Sequence, residues 1–220
     1  MKSRALRWVI FAITLSITLG WAKWNSINQQ AQIKQQSELQ AQQLSQISDK
    51  YQALAWPMQQ VGELQPYAAF GRVQKFANKF HAATDYYATP GTAVYAIADG
   101  QVYFASQHDA YGGVVVITHS NQLYSLYGHT SAKRWMIKSG VHVSKGELIG
   151  YVADTNEGWG IGTVPHLHFA MRLGHPKGYP SGGEGNWMTG CTDKHPVFYQ
   201  FINPSEFIAL TRKKNKNHPN

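Results

Sequence analysis

The sequence predicts a mainly β fold, a small antiparallel β barrel or sandwich preceded by an N-terminal hydrophobic helix and a Gln-rich helical spacer. Three observations carry this. After Pro57 the chain breaks into short runs rich in Val, Ile, Tyr and Phe, separated by Gly-containing turns. Four of these runs are linked by only two to six residues, so successive hairpins build an antiparallel sheet. Residues 25–56, by contrast, contain neither Gly nor Pro. At 220 residues and 43% hydrophobic content, the chain can bury one real core, which bounds it to one globular domain with extensions.

Lys2, Arg4 and Arg7 precede an uncharged run of fifteen residues, 8–22, closed by Lys23. That length lies at the upper edge of a signal-peptide core, about 7–15 residues, and below the roughly 17–25 of a spanning helix. Residues 1–24 therefore read as a signal peptide, with Gly20-Trp21-Ala22 offering the small residues of a cleavage site, or as a membrane anchor whose Trp8, Trp21 and Trp24 suit the interface. These three basic residues, with Arg212, Lys213, Lys214 and Lys216 of a basic tail over 211–220, account for all but one unit of the net charge of +8. A near-neutral middle argues against a phosphate-tracking groove, so no nucleic-acid partner is expected. Cys191 is the single cysteine and gives no evidence of compartment.

The segment 25–56 is dominated by glutamine. Leu44, Ile47, Tyr51 and Leu54 keep a 3-4-3 spacing, an apolar stripe that weakens backwards through Gln40 and Ser37. It reads as a spacer with partial helix, or as a short coiled coil able to pair with a second copy or a regulatory protein.

The β domain occupies 57–210. Its strands are expected at 93–98, 101–106, 113–118 and 123–127, with Asp99-Gly100 as a tight hairpin turn and Tyr111-Gly112-Gly113 as another connection. Segments 141–143 and 147–152 flank the turn Ser144-Lys145-Gly146, and 166–172 is the last strand. Two stretches read as loops over a site. One is 154–164, where Gly158, Gly160 and Gly162 around Trp159 suggest a mobile rim; the other is a 174–200 insertion containing Trp187 and Cys191.

His166 and His168 lie two apart on a strand, so they share a face and can converge on one centre. His81 and Asp85 straddle a small-residue turn before the first strand and can close on the same ion as His168. Such a mixed nitrogen and oxygen set suits Zn2+, and three protein ligands leave a position for water. His129 and His166 are then spare imidazoles for acid–base work, with an unperturbed pKa of about 6.5. His108, His119, His142, His175, His195 and His218 read as structural or surface groups.

The segments HAATDYYATPGTAVYAIADGQV, YGGVVVITH, LYGH, GVHVSKGELIGYV and PHLHF, in that order and spacing, resemble the lysostaphin-type, LytM-domain zinc metallopeptidases that cut peptidoglycan peptides. The resemblance covers roughly residues 65–172 and, more loosely, Ile202-Asn203-Pro204. It implies that His81, Asp85 and His168 bind zinc, that His129 and His166 stand beside the reacting water, and that the site lies in a groove. His166 is read as the general base and His129 as the group that stabilises the oxyanion or orients water, labels that sequence alone leaves interchangeable. Two positions depart from the family: Ala83, where glycine is usual, and Ala170, where an acidic residue usually follows His-Leu-His-Phe. Neither is a ligand. The substrate class so implied is the peptide stems or crosslinks of bacterial peptidoglycan. The N-terminal segment suits the periplasm, with the enzyme tethered to the inner membrane or released after signal cleavage, and a periplasmic enzyme is expected to meet a D-amino-acid crosslink over a glycine bridge.

A non-catalytic version of the same domain, binding cell wall or regulating another hydrolase, is the competing reading; it would be free to lose a ligand, and here all five positions are filled. AIADGQV and GVHVSKGELIGYV also resemble halves of biotinyl or lipoyl carrier domains. That reading leaves four histidines and Asp85 unexplained, and Lys145 sits in an ordinary turn. Cys191 has no local motif of a nucleophile.

Overall fold

The structure, a computed structural model, describes residues 2–51, 53–59, 68–74, 77–178 and 189–217. Two compact units divide the chain, Met1–Leu39 and Gln40–Asn220. The first is helical: α1 (Lys2–Ser48) starts there, without a proline to break it. The uncharged run 8–22 lies in α1 with Trp8 and Trp21 exposed. Among the described residues, no helix is long and apolar enough to cross a membrane.

In the second unit the final turns of α1 pack on the β core. Leu44 and Ile47 contact that core, and Tyr51 and Leu54 are buried in it. Gln40 Nε2 donates to the Phe201 carbonyl at 2.9 Å. The 3-4-3 stripe is thus covered within the chain, because its apolar side chains find their partner in the domain's own core.

The strands are β1 (Val73–Gln74), β2 (Lys79–His81), β3 (Thr84–Tyr87), β4 (Ala93–Tyr95), β5 (Gly100–His108), β6 (Gly112–His119), β7 (Leu123–Thr130), β8 (His142–Val143), β9 (Leu148–Tyr151), β10 (His166–Leu173), β11 (Cys191–Thr192) and β12 (Phe201–Ile202), followed by α2 (Pro204–Asn217). The main antiparallel sheet runs β12-β10-β7-β6-β5-β8, with β3 beside the first half of β10. Its path is open: among the described residues no pairing closes it into a barrel.

Nearly every residue of β6, β7 and β10 is buried. The two-residue period of a strand divides their side chains between two apolar layers. Val115, Ile117, Tyr127, Leu167, Phe169 and Met171 enter one; Val114, Val116, Tyr124, Leu126 and Ala170 enter the other, with Ala82 and Ala83. Each Val, Ile, Leu, Met or Phe among them contributes roughly 1.5–3 kcal/mol relative to exposure. A one-residue slip would exchange the layers, so the register is fixed, and alternation puts His166 and His168 on the side of Ala170. The two departures, Ala83 and Ala170, are ordinary members of that second layer.

Three expectations need correction. The runs 93–98 and 101–106 form no hairpin about Asp99-Gly100: β4 pairs with β9 in a separate sheet, and Gly100 opens β5 opposite His119. Glycine is required there by packing, since a Cβ would lie 2.5 Å from the Thr118 carbonyl oxygen. The basic residues after 211 are no free tail but lie on α2, where Arg212 Nη1 donates to the Leu54 carbonyl at 3.2 Å and Lys214 pairs with Asp49 at 2.7 Å. The stretch 174–200 returns as β11, which pairs with β2 and sets Cys191 opposite His81. Trp187, with the rest of 179–188, and His218 lie outside the described residues.

Candidate metal centre

β2 ends on His81, the chain turns through the fully buried Ala82 and Ala83, and β3 carries Asp85 directly across from His168 of β10. On its other side, His168 faces Gly128 of β7. The result is a triangle of donor atoms. His81 Nε2 lies 3.3 Å from His168 Nδ1 and 3.4 Å from Asp85 Oδ1, which is 2.9 Å from His168 Nδ1. Donors about 2.0–2.1 Å from a tetrahedral ion stand about 3.3 Å apart. Two edges have that length, and the third has the length of a charge-assisted hydrogen bond. The outer nitrogens, His81 Nδ1 and His168 Nε2, are buried with no hydrogen-bond partner among the described residues. The nitrogens that face one another, His81 Nε2 and His168 Nδ1, are the ones turned toward Asp85 Oδ1, so the donor atoms of both rings point into one shared space.

Electrostatics prepare the same set. Burial opposes ionisation of Asp85, but hydrogen bonds from His168 and His81, with their charges, hold its carboxyl well below the usual carboxylate range. Burial, then the neighbouring histidines, holds His129 well below the ordinary imidazole value, and burial outweighs Asp85 in lowering His168. An ionised carboxylate and neutral imidazoles are the states a divalent cation requires.

His129 reaches the site through a bulge. Val114 pairs with Gly128 and Gly113 with Thr130, which leaves His129 unpaired at φ +58°. Strict alternation would send its side chain to the layer opposite His168, and a bulge re-aims it. Its ring lies 4.6 Å from that of His166 and 5.8 Å from that of His168. His129 Nδ1 donates to the Tyr111 carbonyl at 3.2 Å, and His166 Nδ1 to the Val164 carbonyl at 2.8 Å. Each carbonyl fixes a tautomer, leaving both Nε2 atoms as acceptors; His166 Nε2 is 3.7 Å from Asp85 Oδ2. All five residues singled out in the sequence therefore meet in one place.

Sequence reasoning missed Tyr111, which it treated as part of a connection. Its buried ring packs 5.2 Å from His129 and 5.4 Å from His168, and burial pushes its phenol far up. It fits because a Cβ on Gly128 would lie 2.6 Å from the ring. Gly190, beside β11, is similarly close: a Cβ there would stand 3.0 Å from Tyr111 Oη and 3.2 Å from His168 Cε1. The only signal in the sequence was an aromatic residue next to the Gly112-Gly113 pair.

A groove of about 560 Å³ opens over these residues. Gln74, Lys79 and Cys191 line it from the β1-β2-β11 sheet, and Trp159, Ile161 and Val164 from the 154–164 loop. That loop is a docked wall instead of the mobile rim its glycines suggested. The Glu157 carboxylate accepts from Ser131 Oγ at 2.9 Å, Asp154 N at 3.0 Å and Lys133 N at 3.3 Å. Trp159 N and Gly160 N donate to the Asp109 and Ala110 carbonyls. Its glycines serve close approach: a Cβ on Gly158 would lie 2.4 Å from Gly112 N, and one on Gly160 2.8 Å from the Ala110 carbonyl oxygen. Trp159 itself, held by this backbone, is 79% exposed.

The profile of peptidase family M23 matches residues 79–180, the stretch that contains the triangle and both acceptor imidazoles. The chain carries a peptidase family M23 domain. This M23 domain is similar to the DD-carboxypeptidase/endopeptidase Mpg of Neisseria meningitidis serogroup B, 39% identical over 95 residues, covering 43% of this chain and 20% of that protein. It is also similar to the peptidoglycan DD-endopeptidase ShyC of Vibrio cholerae serotype O1, 40% identical over 91 residues, covering 41% of this chain and 20% of that protein. The chain thus spans 20% of the length of the curated relatives it matches. Among solved structures, lysostaphin from Staphylococcus simulans is similar in fold, with a TM-score of 0.50 at 18% identity, covering 73% of this chain and 55% of that one.

Proposed function

We propose that this chain is a zinc-dependent endopeptidase that hydrolyses peptide crosslinks of bacterial peptidoglycan. The observation that carries the reading is the convergence of His81, Asp85 and His168 with two acceptor imidazoles, His129 and His166, in one groove. The M23 domain and the names of its relatives support the substrate class, and their DD-specificity favours a bond between D-amino-acid residues over a glycine bridge.

Zinc held by His81, Asp85 and His168 would polarise the scissile carbonyl and lower the pKa of the attacking water. His166 Nε2, oriented by the Val164 carbonyl, takes the water's proton and returns it to the leaving amine. His129, kept neutral by burial and oriented by the Tyr111 carbonyl, accepts a hydrogen bond from the water and so aims it. That state favours orienting the water over donating to an oxyanion. The basic start and the uncharged run 8–22 support export to the periplasm, with the segment cleaved or kept as an inner-membrane tether.

Incubation of the zinc-loaded chain with purified crosslinked sacculi tests the reading, with His166→Ala as control and fragments identified by mass spectrometry. Loss of crosslinked dimers with a matching gain of monomers, absent in the control, is expected. Stoichiometric zinc without any release would overturn the reading in favour of a binding domain.

A further inference from the structure

Among the described residues that line the groove, Lys79 is the one fixed cation. It stands two residues before His81 on β2, so the two side chains leave the strand on the same face, about 7 Å apart along it. The flexible four-carbon stem of a lysine lets its ammonium swing from that position toward the triangle, within reach of a substituent beside an amide that sits there. Lys79 is exposed and forms no salt bridge or side-chain hydrogen bond among the described residues. The groove's own carboxylate, Asp85, is engaged by His81, His166 and His168. Gln74, Thr189, Trp159 and Val164 add no charge to the walls. A cation so placed recognises an anion, and on a peptide that anion is a carboxylate.

Crosslinking through an amine requires a diamino acid at the junction. The carbon bearing that amine carries a free carboxylate in some peptides and a carboxamide or hydrogen in others. We infer that Lys79 is a specificity residue that binds this free carboxylate beside the amide that is cut. The inference rests on the endopeptidase reading above.

Two crosslinked peptides that differ only by carboxylate against carboxamide at that carbon separate the two claims. The zinc-loaded full chain is expected to cut the carboxylate form with kcat/KM about tenfold higher, the scale of one charge-assisted contact, with the difference in KM. Lys79→Ala brings the ratio to about one, Lys79→Glu inverts it and Lys79→Arg retains it. Equal cutting of both peptides by the unaltered chain, or a ratio that survives Lys79→Ala, would overturn the inference and leave the endopeptidase reading standing. Cutting of neither peptide would overturn both.

Discussion

His129 offers a test in which backbone, metal site and chemistry separate. It occupies φ +58°, a region where a β-carbon costs about 1–2 kcal/mol. His129→Ala keeps that strain, deletes the ring that packs on Tyr111 and His166, and takes one donor from the Tyr111 carbonyl, a hydrogen bond of about 0.5–1.5 kcal/mol. His129→Gly makes the same deletions but relieves the strain, so it should be more stable than His129→Ala by about 1 kcal/mol in urea unfolding. Neither change touches the His81–Asp85–His168 triangle, and both variants should bind zinc stoichiometrically. Turnover should fall by about 10²–10⁴, the scale of a lost acid–base or orienting group, or roughly 3–5 kcal/mol in the barrier. Metal analysis, urea titration and timed fragment release on the three proteins provide the numbers. Loss of zinc from His129→Ala would make it a ligand, and turnover within a few-fold of the unaltered chain would remove it from the chemistry; either result refutes the reasoning.

Other perturbations follow from single contacts. Gly158→Ala places a carbon 2.4 Å from Gly112 N, a backbone atom that cannot step aside; stability should drop by about 1–3 kcal/mol and KM should rise with zinc retained, whereas an unchanged melting temperature would mean that the loop is not docked. His119 donates from Nδ1 to the Asp99 carbonyl at 2.9 Å, has Nε2 2.8 Å from Ser125 Oγ, and is pushed down to about 4 by burial. The folded value lies below the unfolded one of about 6.5, so the unfolded chain gains the proton first as pH falls. Stability from His119 is complete above pH about 6.5 and declines toward its folded value, with about 2 kcal/mol gone at pH 5. Urea titrations at pH 8 and pH 5 should show that loss to be smaller in His119→Gln, and equal losses in both proteins would exclude His119 as its source.

The parts of the molecule legible in the sequence are those governed by strand periodicity. His166 and His168 share a face because strands repeat every two residues, and the short runs of Val, Ile, Leu, Tyr and Phe in β6, β7 and β10 announce the sheet that holds them. What periodicity cannot show is where it breaks. The bulge that turns His129 toward His166 leaves no mark on composition, since Gly128 could equally serve a bend or a close approach. Glycine misled twice in the same way: Gly100 suggested a turn and Gly158 a mobile rim, yet both are small because another backbone lies against them. The stripe Leu44, Ile47, Tyr51 and Leu54 was legible as apolar but not as intramolecular, because spacing does not say which surface will cover it. Tyr111 and Gly190 joined the site through tertiary packing between segments far apart in the chain.

In the proposed enzyme, His81, Asp85 and His168 together hold one zinc ion. Metal analysis of the purified full chain beside its His168→Ala variant tests it most directly. About one equivalent of zinc in the first and little in the second is expected, since a mononuclear catalytic site has only three protein ligands to lose. Stoichiometric zinc in His168→Ala would contradict the account.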